Sequence, residues 1–137
     1  MRINPYVSFN GNCEEAVRFY EKAFKAKAEI MRYKDAPPDN EYEAPAGTEN
    51  LIMHAQFEIG GEIMMFCDTP PDYPVQAGNN IGILIEFDSA EAAKAVFDML
   101  KEGGEVTMEL QETFWSKYFG SLTDKFGIYW HISIGCP

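Results

Sequence analysis

Hydrophobic and polar residues follow the same order of spacings in both halves of this chain. In the first half, apolar residues at helical spacing predict a helix over residues 13–25. Strands are predicted around it, over residues 4–10, 28–33, 51–59 and 62–67. The Gly60-Gly61 pair between the last two runs is typical of a two-residue hairpin turn. The first half therefore predicts a βαβββ module.

The second half repeats this order after a connector rich in proline and glycine. A helix is predicted from Asp88 to the Gly103-Gly104 pair, with strands over residues 81–87, 105–110, 118–123 and 128–134. Asn12 and Asp88 are each followed three residues later by Glu, which predicts a capping box at the start of each helix. The pattern favours an internal repeat, and two unrelated α+β halves are the alternative.

Composition and charge narrow the class of protein. The 137 residues are 46% hydrophobic and 14% aromatic, which is enough for a buried core. The net charge of −11 opposes binding to nucleic acid. No apolar run approaches the roughly 20 residues of a membrane span, so no membrane partner and a cytoplasmic location are expected. The acidic run at residues 39–43 is interpreted as solvated charge. Cys13, Cys67 and Cys136 form no CxxC pair, which predicts reduced thiols.

Several spaced motifs carry a family resemblance. PYVSFNGNCEEA at residues 5–16, IMHA at 52–55, TFW at 113–115 and TDKFGIYW at 123–130 together resemble a PhnB-like protein. That group belongs to the vicinal oxygen chelate superfamily, which includes glyoxalase I, bleomycin resistance proteins and extradiol dioxygenases. The resemblance implies an α+β fold in which two βαβββ modules form a half-open barrel, the glyoxalase/bleomycin resistance/dioxygenase fold.

The same resemblance implies how the chain is organised. It predicts a single domain over residues 1–137, with modules at about 1–68 and 81–137 joined by a connector at 69–80. The binding pocket is expected between the modules. A homodimer is expected, since superfamily relatives usually pair and edge strands need cover.

The resemblance also implies where a metal ion would be held. Metal-dependent members place His, Gln or Glu on the first and last strand of each module, and the matching positions are Pro5, Met65, Gly82 and His131. Proline and glycine have no side-chain donor, and a thioether is a poor ligand for these metals. Because only His131 can ligate, no metal and no cofactor are expected.

Strand alternation then predicts which residues face the pocket. With a two-residue turn at Gly60-Gly61, cross-strand partners share a face, which groups His54, Gln56, Met65 and Cys67. In the first strand the pocket face is predicted to hold Pro5, Val7 and Phe9. In the second module it is predicted to hold Gly82, Leu84 and Glu86 with Tyr129, His131 and Ser133.

Two function hypotheses follow. The leading one is a small-molecule-binding protein without a catalytic metal, which sequesters an unidentified small organic molecule or uses His131 and Glu86 as catalytic acid and base. The alternative is a metal-dependent glyoxalase-like lyase, isomerase or dioxygenase with ligands from His54, Glu86 and His131. Some relatives are described as demethylubiquinone methyltransferases, but no glycine-rich loop for a methyl donor occurs here. The predicted ligand-binding residues are His54, Gln56, Met65, Cys67, Trp115 and Tyr129.

Each candidate also has an ordinary structural explanation. His54 can be a hydrogen-bonded strand residue, His131 a polar residue beside a wet cavity and Glu86 a solvated side chain. Cys67 lacks a predictable base and is interpreted as a small apolar wall residue. Trp115 belongs to an aromatic segment that can serve as core or as a lid over a ligand.

Overall fold

The computed structural model describes residues 1–37 and 45–135. The chain divides into two compact units, Met1–Gln76 and Ala77–Pro137. The acidic run at residues 39–43 and Cys136 lie outside the described residues. In the described part of the chain, no helix is long and apolar enough to cross a membrane.

The first unit is one helix on a four-stranded sheet. Its elements are β1 (Tyr6–Phe9), α1 (Cys13–Phe24), β2 (Glu29–Arg32), a 3-10 helix (Tyr33–Asp35), β3 (Ile52–Ile59) and β4 (Glu62–Asp68). The strand order is β1-β4-β3-β2, with β1 parallel to β4 and the other pairs antiparallel. Ile59 pairs with Glu62, as the two-residue turn predicts. Gly60 and Gly61 both have positive φ, which a glycine adopts without steric cost.

The core of the first unit lies between α1 and one face of the sheet. Tyr20 stacks on Phe66, with ring centroids 5.6 Å apart, and Phe24 contacts Phe57 edge-on. The predicted capping by Asn12 is wrong, because its side chain makes no capping hydrogen bond. Asp68 at the end of β4 replaces it, accepting from the backbone N–H groups of Cys13 and Ile52 at 2.9 Å each. A carboxylate distant in sequence therefore joins the start of α1 to the start of β3.

The second unit repeats the order of the first. Its elements are β5 (Ile83–Phe87), α2 (Ala90–Leu100), β6 (Glu105–Gln111), β7 (Tyr118–Thr123) and β8 (Tyr129–Ile134). The strand order is β5-β8-β7-β6, with β5 parallel to β8. The two βαβββ modules predicted from the sequence are thus confirmed, each with a four-stranded mixed sheet.

The core of the second unit lies between α2 and one face of its sheet. Phe97, Leu122, Trp130 and Ile132 are almost completely buried. Ser89 caps α2 by accepting from the Ala92 N–H at 3.1 Å. The cap therefore lies one residue after Asp88, where it was predicted.

Candidate functional site

Each sheet has a second face, here called its open face, on the side away from the helix. In the first unit β3 and β4 place His54, Gln56, Met65 and Cys67 there, because their neighbours Ala55, Phe57, Met64 and Phe66 are buried against α1. This grouping follows the predicted strand alternation.

The predicted orientation of β1 is wrong. Tyr6 pairs with Met65 and Ser8 with Cys67, whereas Val7 pairs with Phe66 on the helix side. Phe9 is buried. Tyr6 and Ser8 therefore lie on the open face in place of Pro5, Val7 and Phe9. The sequence carried a signal for this, since the two polar residues of the strand alternate with two apolar ones.

Polar side chains on the open face of the first sheet are hydrogen-bonded to one another. The Tyr6 hydroxyl lies 3.3 Å from Nδ1 of His54, and Nε2 of His54 lies 3.1 Å from Oε1 of Gln56. Oγ of Ser8 lies 3.4 Å from Sγ of Cys67. The imidazole of His54 is thus held in one orientation from both ring nitrogens.

The open face of the second sheet agrees with the predicted alternation. Leu84 pairs with His131 and Glu86 with Ser133 across the parallel β5–β8 pair. Leu84 is 51% exposed, while Trp130 and Ile132 on the other face of β8 are fully buried. An apolar residue and an imidazole thus lie side by side on an accessible face.

Aromatic rings form a continuous row on this open face. The ring of His131 lies 4.6 Å from that of Tyr129 and 5.7 Å from that of Phe119, measured between centroids. Phe119 in turn contacts Trp115 edge-on, with the centroids 5.5 Å apart. Trp115 is 42% exposed. We call Trp115, Phe119, His131 and Tyr129 the aromatic row.

A short turn at residues 113–116 carries Trp115 to one end of the aromatic row. The N–H of Ser116 donates to the Thr113 hydroxyl at 3.1 Å, and the Thr113 N–H donates to the Ser116 carbonyl at 3.2 Å. The buried Ser116 hydroxyl lies 3.0 Å from that of Ser133 and 2.9 Å from the Ile134 carbonyl oxygen. These bonds fix the turn to β8, so the indole is held although it is accessible.

Two hydroxyl side chains support the other end of the row. The hydroxyls of Ser121 and Thr107 lie 2.6 Å apart. Their hydrogen-bonding influence, that of Ser121 first, lowers the pKa of Tyr129 below its usual value. Burial lowers the pKa of His131 below 6.5, which favours the neutral imidazole at neutral pH. No local pattern in the sequence indicates Ser121 or Thr107, because the irregular register of β6 between Val106 and Met108 brings them together.

Glu86 shares the open face with His131 but does not contact it. Its direct cross-strand neighbour is Ser133, and His131 pairs with Leu84 instead. Among the residues that the structure describes, the Glu86 carboxylate makes no hydrogen bond or ion pair. No contact between the two side chains therefore supports the prediction that Glu86 orients His131.

The positions that the superfamily uses for metal ligands do not form a donor set here. Met65 pairs with Tyr6 and not with Pro5. A Cβ atom built on Gly82 would lie 2.8 Å from Cδ2 and Nε2 of His131 and 2.8 Å from Cδ1 of Tyr129. The two rings therefore fill the space that a ligand side chain at position 82 would need. Within residues 1–37 and 45–135, no three His, Cys, Asp or Glu side chains cluster closely enough to hold a metal ion.

The fold defines the class of protein. A possible glyoxalase from Bacillus cereus shares it with a TM-score of 0.59 and 16% identity, covering 97% of this chain and 99% of that one. The chain therefore has the glyoxalase fold.

The family follows from closer matches. The model of the family described as 3-demethylubiquinone-9 3-methyltransferase matches residues 1–133, and the chain belongs to this PhnB-like family. Protein YjdN of Escherichia coli is 32% identical over 98% of this chain and 95% of its own length. Protein PA1353 of Pseudomonas aeruginosa is 36% identical, with a TM-score of 0.86 over 98% and 97% of the two chains. The PhnB protein of Bacillus cereus is 26% identical, with a TM-score of 0.78 over 98% and 100%.

Proposed function

We propose that this protein binds a small, flat organic molecule, uncharged or cationic, on the open face of its second sheet. The observation that carries the proposal is the aromatic row, in which Trp115 and Tyr129 flank Phe119 and His131 beside the exposed Leu84. Contacts between aromatic rings contribute about 0.5–1.5 kcal/mol each beyond the burial of area. A flat ligand laid along the row gains several of them.

The charges around the row support the stated class of ligand. None of the four strands of the second sheet contains a lysine or an arginine. Glu86 is exposed on the open face, and the chain carries a net charge of −11. An anion would therefore meet repulsion without a partner, whereas a neutral or positively charged molecule would not.

The geometry favours binding over acid–base catalysis. An efficient general base is itself oriented by a hydrogen-bonded partner. Because Leu84 pairs with His131 and Ser133 with Glu86, the two side chains are diagonal neighbours without a direct contact, so Glu86 does not orient the imidazole as a base. Neutral His131 serves instead as a hydrogen-bond partner for the ligand.

The described residues do not fit the groups that the family and the fold imply. The N–H at the start of α1 is bonded to the buried Asp68, so it is not free to hold a cofactor. The metal positions hold Pro5, Met65 and Gly82 with His131, of which only the last can ligate. Neither methyl transfer nor metal-assisted chemistry is therefore part of the proposal. His54, Gln56 and Met65 remain predicted contacts for a ligand on the first sheet.

The proposal is tested by identifying what the protein retains. Small molecules released from protein purified from cells are identified by mass spectrometry, and their affinity is measured by calorimetry. We expect a neutral or cationic aromatic compound whose binding is weakened by about 1–3 kcal/mol in His131→Ala, the cost of losing a polar partner. Lys94→Ala, on the exposed side of α2, is the matched control and should bind normally. Recovery of anions alone, or normal binding by His131→Ala, would contradict the proposal.

A further inference from the structure

The side chain of Asn10 pairs with the backbone of Val75, which lies in the connector. Oδ1 of Asn10 accepts from the Val75 N–H at 2.6 Å, and Nδ2 donates to the Val75 carbonyl oxygen at 3.0 Å. At the start of the connector, the Thr69 N–H donates to the Phe9 carbonyl oxygen at 2.8 Å. Both ends of the segment 69–75 are therefore held at the end of β1. We call the two bonds between Asn10 and Val75 the Asn10 clasp.

The Asn10 clasp depends on an amide. A side-chain amide presents an acceptor oxygen and a donor nitrogen, whereas a carboxylate of the same shape presents acceptors alone. In an aspartate at position 10, the second oxygen would face the Val75 carbonyl oxygen across the 3.0 Å that the Nδ2 bond now spans. The two oxygens would repel each other, and the carbonyl would lose its partner. Replacement of the amide by a carboxylate therefore opens the clasp.

The residue after Asn10 is suited to remove that amide. Asn-Gly occurs once in the 137 residues, at positions 10 and 11. Gly11 is exposed and has no side chain to shield its nitrogen. Among the residues that the structure describes, the Gly11 N–H makes no hydrogen bond. A free and unshielded nitrogen of this kind can attack the side-chain carbonyl carbon of the preceding asparagine.

Two other asparagines lack such a neighbour. Asn12 precedes Cys13, whose N–H is bonded to Asp68 at 2.9 Å. Asn50 precedes Leu51, whose N–H donates to a backbone carbonyl oxygen at 3.0 Å. In both cases the nitrogen that would attack is already bonded, and its residue carries a side chain. The local structure therefore distinguishes Asn10 from these two residues.

We propose that Asn10 is a site of deamidation, and that its conversion to aspartate or isoaspartate opens the Asn10 clasp and releases the connector from β1. The inference goes beyond the proposed function, because it concerns a covalent change in the first unit and not the binding of a ligand to the second.

The reaction needs no reagent besides water. The Gly11 nitrogen forms a bond to Cγ of Asn10, the bond from Cγ to Nδ2 breaks, and ammonia leaves with the proton of the Gly11 N–H. Water then opens the cyclic imide at either of its two carbonyl carbons, which gives aspartate or isoaspartate. Because the clasp holds Oδ1 and Nδ2 in place, the ring forms during local openings of the connector. The loss of ammonia is irreversible, so opened chains accumulate as the protein ages.

The first test compares asparagines within one sample. The protein is incubated in mildly alkaline buffer, and its peptides are quantified by mass spectrometry after a separation that resolves aspartate from isoaspartate. We expect Asn10 to convert about tenfold faster than Asn12 or Asn50, because glycine leaves the attacking nitrogen unshielded. In urea, where the clasp is open, the conversion of Asn10 should be faster still. An Asn10 rate that does not exceed that of Asn12, or that urea does not raise, would overturn the proposal.

The second test asks whether a carboxylate at position 10 opens the clasp. Asn10→Asp reproduces one product on an exposed side chain, and Asn79→Asp adds the same charge at another exposed residue as the matched control. Hydrogen exchange of the Val75 amide is followed by NMR. We expect its protection factor to fall about tenfold in Asn10→Asp and to stay unchanged in Asn79→Asp.

Acid provides the reversal of this effect. Below about pH 4 the carboxyl group of Asn10→Asp is protonated and can donate to the Val75 carbonyl again, so the protection of Val75 should return. A merely local disturbance of the fold would not respond to pH in this way. Equal protection in the two variants at neutral pH, or no recovery in acid, would overturn the proposal.

Discussion

Replacing Gly82 by alanine tests whether the His131 and Tyr129 rings fill the position that other superfamily members use for a metal ligand. The added Cβ atom would lie 2.8 Å from three ring atoms, whereas ordinary carbon contacts are about 3.5–4.0 Å. The rings must therefore move by roughly 0.7 Å. Overpacking of this kind costs about 1–3 kcal/mol of stability. Because both rings are half-buried and can move toward solvent, we expect a cost in the lower part of that range.

Gly78→Ala is the matched control for this substitution. Both glycines have ordinary backbone conformations, and a Cβ atom at position 78 meets only Oδ1 of Asn80, at 3.6 Å. A Gly→Ala change at such a position stabilises by about 0.4–1 kcal/mol through the unfolded chain, a gain common to both variants. The difference in unfolding free energy between the two variants therefore measures the cost of the contact between the added Cβ atom and the rings. Gly82→Ala should be less stable than Gly78→Ala by about 1–2 kcal/mol.

The measurement is urea unfolding followed by tryptophan fluorescence, with the His131 ring signals recorded by NMR. The ring signals should shift in Gly82→Ala and stay in place in Gly78→Ala. Equal stability of the two variants with unshifted His131 signals would show that the rings do not lie over Gly82, and the argument against a metal ligand there would fail.

Three further predictions concern other features. Asp68→Asn loses one of the two oxygens that accept from the N–H groups of Cys13 and Ile52, so urea unfolding should show a loss of about 1.5–3 kcal/mol in stability. The exposed Asp72→Asn is the control and should leave the stability unchanged. Equal effects of the two substitutions would refute the capping role of Asp68. Burial lowers the pKa of His131, so the native state binds a proton at the imidazole less readily than the unfolded chain does. The free energy of unfolding should therefore fall as the pH drops below about 6.5. In His131→Gln that fall should be smaller. An NMR titration midpoint for His131 at or above 6.5 would contradict the sign. The expected homodimer is checked by light scattering at micromolar concentration, where a 15.5 kDa species would exclude it.

The sequence predicted the order of elements well because local patterns determine it. The Gly60-Gly61 turn set the β3–β4 pairing, and the alternation of polar and apolar residues placed Leu84 and Glu86 opposite the buried side of β5. The alternation in β1 also indicates Tyr6 and Ser8 for the open face, but the family resemblance places position 5 there, and that prediction is wrong. The register of a parallel pair is set by the whole sheet and not by a turn, so this alternation is the local signal that β1 offers.

The capping errors have a different cause. Asn12 fits the local pattern for a cap, but Asp68 reaches the start of α1 from the end of β4. A carboxylate distant in sequence cannot be seen in a window of four residues. The hydrogen bond between Tyr6 and His54 is hidden for the same reason, because β1 and β3 are brought together only in the folded sheet.

The central claim is that the aromatic row binds a neutral or cationic flat ligand. Its most direct test is an NMR titration of protein with ¹³C-labelled aromatic rings against small neutral, cationic and anionic aromatic compounds. We predict that the ring signals of Trp115, His131 and Tyr129 shift together, in a saturable way, with neutral or cationic compounds and not with anionic ones. Binding by the anionic compounds alone, or no saturable shift in the aromatic row with any compound, would contradict the claim.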